Sequence, residues 1–269
     1  MINLIFYFSG SGNSYFVAKK ISDILNENLI SINNSIKTQK YLKNKKKYEY
    51  ILNDNEYIGF VLPVYYLGVP KVIHNFINNL KLNNYKNQYI FSIFTYNTSY
   101  GNSLFQIKEL LKKNNYKLNS VFSIQMPGNC ILLYNPNPIE EQKKLLENAV
   151  ISINSIKESI INKKQISYNK NIISSFSHNI LKKLFEKIYN TKKYHVLDRC
   201  IHCSLCVSKC PSNIISLDIT SNKPIWKNNN DCTYCLSCIN NCPTKSIEYG
   251  TITRKKNRYN LNNLIKNIK

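Results

Sequence analysis

"CIHCSLCVSKCP" occupies residues 200–211, and "CTYCLSCINNCP" occupies residues 232–243. Both obey C-x2-C-x2-C-x3-C-P, and together they hold eight of the nine cysteines in a chain of 269 residues. Three thiols spaced two residues apart fit one tight loop around one object. The fourth is carried away by the chain, and the proline after it removes an N–H and ends the local helix. Met1 runs straight into "INLIFYF", with neither a basic leader nor a small-residue cleavage site. No apolar run reaches the roughly 20 residues of a membrane span. A cytoplasmic chain is the expectation, and there clustered cysteines bind metal rather than one another. Zinc takes its ligands as two pairs from separate knuckles. Triplets with a late fourth, written twice, fit four-iron cubanes better.

With this spacing, residues 195–250 resemble a bacterial-type two-cluster ferredoxin. The resemblance implies an α+β domain with two [4Fe–4S] clusters, in which each motif lends its fourth cysteine to the other cluster. The implied ligand sets are Cys200, Cys203, Cys206 and Cys242 for one, and Cys210, Cys232, Cys235 and Cys238 for the other. Members of this family often place a small residue such as glycine where His202 and Ser204 stand. His202 either tunes a cluster by hydrogen bonding or simply faces solvent. Between the motifs, "NIISLDI" (213–219) and "KPIW" (223–226) read as a hairpin split at Ser221-Asn222. The ninth cysteine, Cys130 in "MPGNCILLY", reads as a packed small hydrophobe rather than a nucleophile.

Working back towards the N-terminus, strand and helix signals alternate. "NLIFYF" (3–8), "LISI" (29–32), "YIGFVLP" (57–63), "QYIFSIFTY" (88–96) and "VFSIQM" (121–126) are short apolar runs that read as buried strands. Between them, Val17, Ile21, Ile24 and Leu25, then Val72, Phe76, Ile77 and Leu80, then Leu104, Ile107, Leu110 and Leu111 recur at helical spacing. A long closing helix carries Leu145, Leu146, Ala149, Val150, Ile153 and Ile156. Continuous apolar strands alternating with helices predict an α/β domain, a parallel sheet covered on both faces, over residues 1–163.

The first strand leads into "YFSGSGNSYFVAKKI" (7–21). Ser9, Gly10, Ser11, Gly12, Asn13 and Ser14 form a hydroxyl-rich turn at a helix N-terminus, where exposed N–H groups and the helix dipole favour an anion. No Lys-Ser/Thr follows, so it is not a P-loop, and Tyr15 replaces the third glycine of a dinucleotide fingerprint. A capped helix with no ligand, with Ser9 or Ser11 as the cap, is the plain alternative. The turn resembles the FMN phosphate loop of flavodoxins, T/S-x-T/S-G-x-T/S. That resemblance implies a doubly wound flavodoxin-like sheet of order 2-1-3-4-5. It also implies phosphate contacts from Ser9, Ser11, Asn13 and Ser14, with backbone from Gly10 and Gly12. The flavin ring would lie by the loops "PVYYLGVP" (63–70) and "TYNTSYGN" (95–102), where Tyr65, Tyr66, Tyr96 and Tyr100 are candidates to flank it.

Residues 164–194 read as a helical connector with the apolar stripe Ile180, Leu181, Leu184, Phe185, Ile188 and Tyr189. Such a stripe either docks on a neighbouring domain, the simpler reading, or lies on a membrane surface. The formal charge is +22, from 37 Lys+Arg against 15 Asp+Glu. Six basic and no acidic residues fall in the tail 251–269. With 42 Asn, two Ala and three Arg, the bias looks compositional, and the scarcity of Arg argues against specific nucleic-acid binding. A basic surface that steers an acidic redox partner fits better. "MPGN" (126–129), "SIEYG" (246–250) and "RY" (258–259) extend the resemblance to the flavodoxin–ferredoxin fusion proteins of anaerobic bacteria over nearly the whole chain. It departs at Leu261, where a proline is expected. The implied function is electron transfer between FMN, two [4Fe–4S] clusters and a redox partner protein. Two alternatives stay open. One is an oxidoreductase acting on a small molecule or quinone, and the other is a non-redox module with structural clusters. Four histidines and no acid/base motif favour a carrier over an enzyme.

Overall fold

The computed structural model describes residues 4–26, 28–41, 48–54, 56–166, 180, 190–227 and 231–268. In chain order, β1 (Leu4–Tyr7), α1 (Asn13–Leu25), β2 (Asn28–Ser31), α2 (Ile32–Tyr41) and β3 (Tyr48–Ile51) come first. They are followed by β4 (Tyr57–Pro63), α3 (Lys71–Asn78), β5 (Leu80–Asn83), β6 (Tyr89–Tyr96), α4 (Ser103–Lys113), β7 (Leu118–Gln125) and α5 (Ile139–Ile161). Five of these strands form one sheet in the order β2-β1-β4-β6-β7, with every pair parallel. Counted along the chain this is 2-1-3-4-5, the expected flavodoxin-like order.

Side chains alternate across the sheet with a period of two. Phe6, Phe60, Leu62 and Phe94 face α2, α3 and α4, whose Ile32, Ile73, Phe76 and Ile107 complete one core. Ile5, Val61, Phe91 and Ile93 face α1 and α5, which add Val17, Ile21, Ala149 and Ile153 to a second. Both sides are dry, so the strands read as unbroken apolar runs. Each fully buried Phe or Ile contributes about 1.5–3 kcal/mol. A two-stranded parallel ribbon, β3 with β5, was not expected from the sequence. Leu80 keeps the helical spacing of Val72, Phe76 and Ile77 but opens β5, and Tyr48 anchors the ribbon by tilting onto Phe76 with ring centroids 4.6 Å apart.

The cysteine-rich part holds two antiparallel pairs: β8 (Tyr194–Val196) with β11 (Ile247–Tyr249), and the expected hairpin of β9 (Ile215–Leu217) with β10 (Pro224–Trp226). A short helix follows each motif's second cysteine, Leu205–Lys209 and Ser237–Asn240. Left-handed residues recur at equal offsets in the two halves: His202 and Tyr234, Ser204 and Leu236, Asn213 and Lys245. An L-residue there costs about 1–2 kcal/mol, which is why glycine suits the places of His202 and Ser204. The core of this part, Tyr194, Leu236, Ile239, Ile247 and Tyr249, is continuous with Ile131 and Leu132 of the first domain.

Past β11 the basic tail packs on the protein. Tyr259, Leu261 and Leu264 are buried in the same core as Val17 and Ile21, and residues Leu261–Ile268 form a helix. The connector's apolar stripe lies outside the described residues apart from Ile180. Among the described residues no helix is long and apolar enough to cross a membrane.

Candidate functional site

A cavity of ≈310 Å³ opens at the carboxyl ends of β1, β4 and β6. This is the switch point of a doubly wound sheet, where the chain leaves neighbouring strands in opposite directions. Ser9, Gly10, Ser11, Asn13, Ser14, Tyr65, Tyr66 and Tyr96 line it. Two of the sequence candidates do not. Gly12 turns away, and a β-carbon on it would meet Leu261 Cβ at 2.9 Å. Tyr100 stands edge-on behind Tyr96, with centroids 5.5 Å apart.

The turn is not capped by its own hydroxyls. Gly12, at φ 106°, occupies the cap of α1 and offers no side chain, which leaves no side-chain hydrogen bond at that end. Ser9 Oγ instead accepts from Gly12 N at 3.1 Å, and Ser11 Oγ accepts from Asn129 Nδ2 at 2.9 Å. Ser14 and Thr95 share a buried hydroxyl–hydroxyl bond of 2.7 Å. Asn13, expected to reach an anion with its side chain, has its amide engaged on both sides. Its Nδ2 donates to Pro127 O at 2.8 Å, and its Oδ1 accepts from Tyr259 Oη at 2.6 Å. Its backbone N–H and the second Nδ2 proton are left for a ligand.

Cavity walls missed by the sequence reading include Tyr134, Tyr234 and Leu236. Tyr234 and Leu236 belong to the second cysteine motif, and nothing local in the chain announces that this loop returns to the end of β1. Burial pushes the Tyr134 hydroxyl up to about 12. Cys130 also lines the cavity, and burial pushes its thiol up to about 11, so it stays neutral. Tyr65 Oη is buried without a hydrogen-bond partner.

The eight motif cysteines ring two smaller voids. Cys200, Cys203, Cys206 and Cys242 surround one, with Pro224 and Pro243. Cys210, Cys232, Cys235 and Cys238 surround the other, with Pro211 and Trp226. Among the described residues, no three His, Cys, Asp or Glu side chains converge closely enough to share a single metal ion. Each set of four cysteines lines one common void. Burial raises the thiols of Cys206 and Cys235 to about 11 and that of Cys232 to about 12. Bound metal must therefore displace protons here. Backbone N–H groups already point at sulfur, from Ser246 to Cys242 Sγ at 3.2 Å and from Tyr234 to Cys232 Sγ at 3.4 Å. His202 does not: its Nδ1 lies 2.9 Å from Asn222 O.

The voids are not equivalent. Leu236, 2% exposed, lines both the large cavity and the void of Cys210, Cys232, Cys235 and Cys238. The other void shares no lining residue with the large cavity and lies beside exposed Cys203 and Ile201.

Residues 199–246 match the family model of the 4Fe-4S dicluster domain. No curated protein matches the chain. Among solved structures, a Bacteroides uniformis protein described as a flavoprotein is 14% identical over 46% of this chain and 90% of its own, with a TM-score of 0.34. The Trp repressor binding protein of Bacillus subtilis is 13% identical over 55% of this chain and 95% of its own, with a TM-score of 0.34. Rubredoxin oxygen:oxidoreductase of Desulfovibrio gigas is 11% identical over 58% of this chain and 36% of its own, with a TM-score of 0.31. The sheet order and the matched motif together define the architecture: the chain joins a flavodoxin-like domain to a 4Fe-4S dicluster domain.

Proposed function

We propose that the chain is an electron carrier linking FMN, two [4Fe–4S] clusters and an external redox protein. The observation that carries this reading is Leu236, whose side chain borders the large cavity on one side and a four-cysteine void on the other. Cofactors held in those two places would share Leu236 as a common wall, which would favour electron exchange between them.

The cavity suits FMN. The Ser9 and Ser11 hydroxyls and the backbone N–H groups of Asn13 and Ser14 would hold the phosphate at the start of α1. Tyr65, Tyr66, Tyr96, Tyr134 and Tyr234 supply aromatic walls for the ring. The unpartnered Tyr65 hydroxyl offers a hydrogen bond inside the cavity. Cys200, Cys203, Cys206 and Cys242 would ligate one cluster, and Cys210, Cys232, Cys235 and Cys238 the other. FMN exchanges electrons singly or in pairs, and each cubane exchanges one. The net charge of +22 favours an acidic partner protein.

Anaerobic purification with iron, sulfide and flavin counts tests the reading. About eight irons and one FMN per chain are expected. Zinc in place of iron, or eight irons in a protein that takes up no flavin, would overturn it.

A further inference from the structure

The turn Ser9–Ser14 is held from outside its own domain. Asn241 Nδ2, beside the last cysteine of the second motif, donates to Gly10 O at 3.0 Å. Leu261 N, at the start of the C-terminal helix, donates to Ser11 O at 2.9 Å. Tyr259 Oη donates to Asn13 Oδ1.

These bonds decide what the turn can offer a ligand. In a trans peptide the C=O and the following N–H point opposite ways, and no peptide bond among the described residues is cis. With the Gly10 and Ser11 carbonyls drawn towards Asn241 and Leu261, the N–H groups of Ser11 and Gly12 face away from those donors. The Gly12 N–H goes to Ser9 Oγ, and Ser11 Oγ accepts from Asn129. Each hydroxyl has accepted a bond and retains its own proton to donate. The Gly10 and Ser11 carbonyls are thus occupied, and the Ser9 and Ser11 hydroxyl protons remain to donate at the cavity wall, which suits an anion.

The outside clamp is itself firmly rooted. The Arg258 guanidinium donates to Glu248 Oε2 at 2.8 Å and to Thr253 O and Lys256 O, both at 3.0 Å. Tyr259 N donates to Asn240 Oδ1 at 3.2 Å, and Leu261 and Leu264 pack against α1. The segment 253–264 thus straps the cysteine-rich domain to the turn. Leu261 stands where the fusion proteins lead one to expect proline, which has no hydrogen for the bond to Ser11 O.

We infer that Asn241, Tyr259 and the Leu261 backbone are positioning residues for the cofactor's phosphate: the dicluster domain and its strap set the affinity of the flavodoxin-like domain for FMN. The inference rests on the FMN reading above. The test titrates FMN and riboflavin, which lacks the phosphate, into deflavinated full-length protein with its clusters intact, following flavin fluorescence. Tyr259→Phe and Asn241→Ala should each weaken FMN about tenfold, roughly the loss of one charge-assisted hydrogen bond's worth of orientation. Riboflavin affinity and iron content should stay at the wild-type level, and the ³¹P resonance of bound FMN should move. If Asn241→Ala loses iron, Tyr259→Phe, which removes one hydroxyl, carries the test. Wild-type FMN affinity in Tyr259→Phe, or equal weakening of riboflavin and FMN, overturns the inference alone. A wild-type protein that binds neither flavin overturns the cofactor reading and the inference with it.

Discussion

A β-carbon on Gly10 would lie 3.0 Å from the carbonyl oxygen of Cys235. The turn proposed to bind phosphate and a cysteine proposed to bind iron therefore pack closely, and a side chain at residue 10 would press on the Cys235 carbonyl. The same β-carbon would lie 3.0 Å from Tyr65 Oη. Gly10→Ala should thus part the two domains locally. The expected cost is about 1–3 kcal/mol, the usual range for overpacking, seen as a lower thermal midpoint with weaker flavin retention. An unchanged midpoint would mean that the contact gives way freely.

The crossed ligand sets predict where damage appears. Cys242 lies in the second motif but faces the void of the first. Cys242→Ala should impair the cluster of Cys200, Cys203 and Cys206 and spare the other, leaving about four well-bound irons. Paramagnetic resonance of the reduced protein separates the two cases. Loss of the Cys232-group cluster alone would refute the crossing.

The strap's root is a buried ion pair. Arg258 and Glu248 are 6% and 2% exposed at the side chain, and Thr253 also hydrogen-bonds the carboxylate. Arg258→Ala leaves that carboxylate with Arg199, 3.8 Å away and half exposed, as its cation. Removing one partner of such a pair typically costs about 3–5 kcal/mol. Chemical denaturation should show the loss, and limited proteolysis should cut the C-terminal helix earlier than in the wild type.

Cys130 gives a pH test. Burial raises its thiol from the usual 9.0 to about 11. Between these values the folded protein keeps a proton that the unfolded chain has lost. This contribution to stability is therefore complete below pH 9 and is lost as pH rises to 11. At pH 8 the thiolate fraction is about a hundredfold lower than in a free cysteine. Peptide mass spectrometry after iodoacetamide treatment of cluster-loaded protein should find Cys130 essentially unmodified at pH 8. Rapid modification there would show that the thiol is not sequestered.

Much of this architecture was open to reading in one dimension. "YIGFVLP" is β4 residue for residue, because a strand dry on both faces must be apolar throughout. The cysteine rhythm carries its meaning because ligands for a compact group must be close in the chain. The β3–β5 ribbon was hidden because Leu80, which opens β5, continues the helical spacing of α3, and the packing of the basic tail was hidden because its partners are distant in the chain. The sequence assigned no role to its six basic side chains, and it is Tyr259, Leu261 and Leu264 that pack.

By itself, then, the sequence determined the parallel sheet, the hydroxyl-rich turn at the first helix and the paired cysteine motifs. Each of these is written in neighbours separated by a few residues, where periodicity and spacing act. Only the tertiary structure decided that Leu236 borders two cavities, that Asn241 and Leu261 hold the Gly10 and Ser11 carbonyls, and that Tyr259 occupies Asn13. Those partners lie more than 200 residues apart in the chain, and no local preference encodes them. They are brought together when Ile131 and Leu132 bury their surface against Leu236 and Ile239, and that burial sets the two domains in register.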